Sequence, residues 1–102
     1  ALGYSSLSGA GEIPNGVITQ IAINRELSPA VFIKVVGTRV GAPSCASNTS
    51  WDYVLPLSTD LEKAMYSLLL AAKASQTPIR VAGAAAAACE FGVEKLTYVE
   101  SK

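Results

Sequence analysis

The chain contains no histidine, one tryptophan, one methionine and two cysteines in 102 residues. Each scarcity removes a class of chemistry. Without an imidazole there is neither a hydrolytic triad of the Ser-His-Asp kind nor a Cys-His nucleophile pair, and two cysteines alone do not complete a zinc site. The only close glycine pair, in Gly9-Ala10-Gly11, precedes every predicted element and so is no phosphate loop. Asp52, Asp60, Glu62 and Glu94 read as helix caps or solvated strand positions rather than as an acid/base pair. The reading is therefore of a protein that is not an enzyme, with no catalytic residue, metal or cofactor. Charge is sparse as well: 8 basic residues balance 8 acidic ones, and charged residues make up 16%. Lys34, Arg39 and Arg80 are too few to line a nucleic-acid groove. The longest apolar run, Ala64 to Ala74, is interrupted by Ser67 and Lys73 and is too short to span a bilayer, so no membrane insertion is expected.

What is present is an apolar chain, 50% hydrophobic, of a length that makes a single domain over residues 1–102. Residues 1–16, rich in Gly and Ser, read as an N-terminal arm. The start at Ala1-Leu2, without Met, is what a mature secreted protein shows after signal cleavage, although a trimmed chain would look the same. A secreted, periplasmic or extracellular, location is the expectation. Cys45 and Cys89 both fall in polar loop-like surroundings and outside any CxxC pair, which favours a disulfide over buried free thiols. Closing a loop of about 45 residues is worth roughly 4 kcal/mol on the chain-entropy model.

Strand signals begin at Gly16. Val17, Ile21 and Ile23 form an apolar face against Gln20 and Asn24, and a turn containing Ser28-Pro29 leads to the β-branched run Val31–Val36. Trp51, Tyr53, Leu55 and Leu57 alternate with Asp52, Val54 and Pro56, a third strand whose proline marks an edge or an end. Thr59 with Glu62 makes a capping-box pattern, and a helix over Asp60–Ser75 follows. Its stripe of Leu61, Met65, Leu68 and Ala72 is widened by Ala64, Leu69, Leu70, Ala71 and Ala74 beyond what one core face requires. The surplus predicts that copies of the chain meet there, with Leu61, Met65, Leu69 and Leu70 as interface residues. Pro78 ends the helical region, Ile79–Ala82 alternates as a fourth strand up to Gly83, and Val93–Glu100 closes the chain as a fifth. The five alanines from Ala84 to Ala88 read either as an engineered patch or as a closely packed segment.

Three strands, one helix and two strands predict a mainly β protein with one α-helix, in the order β-β-β-α-β-β of a five-stranded Greek-key OB barrel. Within that frame, Val17-Ile18-Thr19, Ser28-Pro29 before Phe32-Ile33-Lys34, Cys45-Ala46, Trp51 and Ile79-Arg80-Val81 occur in an order and spacing that resembles the B subunits of subtilase cytotoxin and of pertussis-like bacterial toxins. The resemblance covers roughly Gly16 to Gly83. It implies a secreted OB-fold protomer that assembles into a homopentamer, binds cell-surface glycans and delivers a separate catalytic toxin subunit. It also implies a serine just ahead of the first strand that holds sialic acid, where this chain reads Ile13-Pro14-Asn15-Gly16. That site is not carried over.

A sugar site needs an aromatic face and a few fixed polar groups. Ser47, Asn48, Thr49, Ser50, Trp51 and Tyr53 supply both kinds within one short segment, against the plainer reading of Trp51 and Tyr53 as core. Tyr4, Ser5 and Ser6 offer a second lip only if the arm is ordered. Asn48-Thr49-Ser50 also has the pattern of a glycosylation sequon. Two other function classes stay beside the glycan reading: an oligomeric adhesive or protein-contact module, and a single-stranded nucleic-acid binder.

Overall fold

The computed structural model describes residues 11–24, 30–41, 45–83 and 89–101. The Ser28-Pro29 turn, the alanine run and the Tyr4-Ser5-Ser6 lip lie outside these residues, as does most of the expected arm. Among the described residues six strands and one helix follow in the order β1 (Glu12–Asn24), β2 (Ala30–Val36), β3 (Tyr53–Pro56), α1 (Asp60–Ser75), β4 (Ile79–Gly83), β5 (Cys89–Glu90) and β6 (Val93–Ser101). The protein is thus mainly β with one helix. It has one strand more than the sequence predicts, because Cys89 and Glu90 pair with Glu94 and Val93 across a tight turn at Phe91-Gly92.

The sheet runs β3-β2-β1-β4-β6-β5, antiparallel at each step, and β3 pairs a second time with β6 in parallel. β3, β2, β1, β4 and β6 therefore form a continuous circuit of hydrogen-bonded neighbours. Its interior is filled by Ile13, Ile18, Val31, Ile33, Val35, Tyr53, Leu55, Leu69, Ala72, Ile79, Val81 and Leu96. β1 makes the circuit possible by pairing with β4 along its first part and with β2 along the rest.

β1 begins at Glu12 rather than at Gly16, and its apolar face is not the one expected. Irregularities between Ile13 and Gly16 and between Ile18 and Gln20 each insert an extra residue, which flips the side-chain parity. Ile13 and Ile18 become buried, Ile21 packs partly against the core, and Ile23 is left exposed.

α1 occupies the predicted residues, and its capping box is complete. The Glu62 N–H donates to the Thr59 hydroxyl at 3.1 Å while the Thr59 N–H donates to the Glu62 carboxylate at 3.1 Å. Partial burial alone would raise the Glu62 pKa, yet hydrogen bonds from Ser58 and Thr59 outweigh it and hold the carboxyl below its ordinary value. At the other end Gln76 takes a left-handed conformation, and its side-chain amide donates to the Lys73 carbonyl at 2.9 Å. The helix packs on β1, β3 and β6 through Leu69 and Ala72, with Met65 and Tyr66 half-buried beside them. Leu69 is therefore internal and offers nothing to a second copy, which corrects its assignment to an interface. Leu61 and Leu70 do face outward, 71% and 43% exposed. The helix is not long and apolar enough to cross a membrane.

Candidate functional site

Side chains alternate across β2, so Val31, Ile33 and Val35 face the interior while Ala30 and Phe32 face outward. Outward residues would ordinarily be wet. Here Ala30, Phe32, Val54 and Val93 are buried all the same, in a second and smaller cluster with Trp51 packed against it. The segment 45–51 and the turn between β5 and β6 lie alongside it.

Three links join that segment to the hairpin of β5 and β6. A disulfide connects Cys45 to Cys89, with Cα atoms 6.1 Å apart. The Asn48 N–H donates to the Gly92 carbonyl at 3.0 Å. Ser47 also sits against Gly92, so close that a Cβ there would crowd the serine hydroxyl. Within the segment, the Asn48 side-chain oxygen accepts from the Ser50 N–H at 2.7 Å and the Trp51 N–H at 3.2 Å, which fixes the backbone leading to the indole. The rings of Trp51 and Phe91 both lie 6.0 Å from that of Phe32, tilted by 45° and 52° respectively, a range in which aromatic pairs attract.

The predicted site residues therefore divide. Ser47, Thr49 and Ser50 are exposed, Asn48 and Trp51 are half-buried, and together they form one surface. Tyr53 does not belong to it, since it is fully buried inside the strand circuit on the opposite face of the sheet. Phe91 does belong to it, and sequence reasoning missed it. The available signal was the pair Phe91-Gly92 between Glu90 and Val93, a two-residue turn that the 45–89 bridge brings beside Trp51.

A second polar group lies inside the circuit. Glu94 is fully buried, not a solvated strand position as its sequence context suggests. Its carboxylate accepts from the Arg39 guanidinium at 2.6 Å and from the Gly11 N–H at 2.6 Å, and a Cβ at residue 83 would overlap it, which is why glycine stands there. Arg39 also lies 3.6 Å from Asp52 and 4.9 Å above the Tyr53 ring. Among the described residues the buried Tyr53 hydroxyl has no hydrogen-bond partner of good geometry, and neither does Arg39 Nε. Burial first, and the Glu94 carboxylate second, push the Tyr53 phenol well above its ordinary pKa. The Glu94 carboxylate, met by both Arg39 and the Gly11 N–H, ties β6 to the residues around it. Among the described residues, no group of three or more His, Cys, Asp or Glu side chains is placed to hold a metal.

No protein family, no curated protein and no solved structure matches this chain.

Proposed function

We propose that the chain is a secreted glycan-binding subunit that works as an assembly of copies. The observation that carries this reading is the surface made by Ser47, Asn48, Thr49, Ser50 and Trp51 with Phe91, where hydroxyls stand beside aromatic rings on a backbone fixed by a disulfide. Sugars are held by such pairings of a flat apolar face with a few oriented polar groups. The pairing of β1 with both β2 and β4, the parallel pairing of β3 with β6, and the helix between β3 and β4 support an OB-type Greek-key barrel as the scaffold. The disulfide is compatible with an extracellular or periplasmic location. Exposed Leu61 and Leu70 support contact between copies along α1. The resemblance to toxin B subunits adds a ring of five and a separate catalytic chain as cargo.

The test is a glycan array on the native protein after its size in solution has been measured. The reading expects an oligomer, expects Trp51→Ala to abolish array binding, and expects Leu61→Ser with Leu70→Ser to give a folded monomer. A wild-type monomer at micromolar concentration would remove the assembly. An oligomer silent on every glycan would leave a protein-contact module, which the exposed leucines of α1 favour as the second reading.

A further inference from the structure

Phe91 occupies a conformation its side chain opposes. Its φ is 55° and that of Gly92 is 73°, so both central residues of the two-residue turn between β5 and β6 are left-handed. That geometry selects Asn, Asp or Gly, and a bulky aromatic residue there is an outlier. Strain of this kind persists only where the surrounding structure imposes it, and it clusters at binding and active sites. What it displays is a ring 48% exposed, braced on one side by Phe32 and bordered by the hydroxyl-bearing segment 47–50.

Charge narrows the ligand. Residues 45–51 carry no ionisable side chain apart from the bridged Cys45. The lysines on the same outer face are both paired, Lys34 with Asp52 at 3.9 Å and Lys95 with Glu90 at 3.7 Å. An acidic sugar brings a carboxylate whose strongest partner would be an uncommitted cation. Among the described residues of this surface there is none.

We infer that the surface binds a neutral pyranose, its C–H face stacked on Phe91 and its hydroxyls met by the 47–50 segment. This rests on the glycan reading above and specifies it. The experiment is the same array probed before and after sialidase treatment, followed by titration with methyl galactoside, methyl glucoside and N-acetylneuraminic acid. Phe91→Asn keeps a residue suited to the turn while deleting the ring. Array binding should survive sialidase treatment, and affinity for at least one neutral methyl glycoside should fall at least about tenfold in Phe91→Asn, the effect of losing a stacking anchor. The variant's Tm should stay within about 3 °C of wild type, because relief of the left-handed strain offsets the lost contact with Phe32. Binding that requires sialic acid, or neutral-sugar binding unchanged in Phe91→Asn, overturns this inference and leaves the glycan reading standing. Silence toward every sugar overturns both.

Discussion

The two faces of the same strands hold two cores of different construction. The inner core is aliphatic apart from Tyr53, is enclosed by the strand circuit and α1, and has the Arg39–Glu94 ion pair beside it. The outer one is small, with Phe32 as its largest member, bordered by Trp51 and Phe91, and its neighbouring loop is fixed by a disulfide and hydrogen bonds rather than by further strands. The inner core holds the shape. The outer one presents a surface, and a surface meant for a ligand must stay partly uncovered, so a covalent clip replaces the burial it forgoes.

The largest test of that division is removal of the clip. Cys45→Ser with Cys89→Ser should lower the unfolding free energy by about 4 kcal/mol, from the loop-closure entropy returned to the unfolded chain. Denaturant titration read by circular dichroism measures it. Trp51 emission should shift to the red at lower denaturant than the strand signal is lost, since the outer core loosens first. Coincident transitions would show that the two cores are one cooperative unit.

Next comes the ion pair of the inner core. Glu94→Gln strips Arg39 of its main partner and the Gly11 N–H of a charged acceptor, and it should cost about 3 kcal/mol in urea unfolding. Trp51 emission of the folded variant should change little, because the hydrogen-bond partners found for Glu94 are Arg39 and Gly11 and not residues of the outer core. A cost under about 1 kcal/mol would show that Asp52, 3.6 Å from Arg39, takes over the guanidinium.

How far each core was legible follows from the kind of signal that builds it. α1 was readable to its ends because Thr59 and Glu62 form a local capping pattern that needs no tertiary context. β2 was readable as a β-branched apolar run and β4 from alternation up to Gly83, and the Cys45–Cys89 link was expected although Cys89, read as a loop residue, lies in β5. The buried face of β1 was not, since the irregularities that set it depend on β1 bending from β2 to β4. Glu94 and Leu69 were misread for the same reason: burial is decided by what lies across the fold, and neither Arg39 nor Gly11 is near Glu94 in sequence. Phe91 was invisible because local propensity argues against an aromatic residue in that turn. The polar half of the candidate site, Ser47 to Ser50 with Trp51, was local and was found.

The smallest effect sharpens the contrast most, because it asks whether the inner core is fully satisfied. Tyr53→Phe deletes a buried hydroxyl that has no hydrogen-bond partner among the described residues and keeps the ring beneath Arg39. It should stabilise the protein by about 1 kcal/mol at neutral pH. The pH dependence carries a definite sign. Burial raises the pKa of the folded phenol, so once the pH passes the ordinary tyrosine value near 10 the unfolded chain releases this proton while the folded chain keeps it. The wild-type contribution is complete below that pH and is lost as pH rises, whereas residue 53 as phenylalanine has nothing to release. The stability difference between variant and wild type should therefore widen above pH 10, by up to about 1.4 kcal/mol for each further pH unit. A difference that stays constant with pH would mean that water reaches the phenol, and the inner core would then be no drier than the outer one.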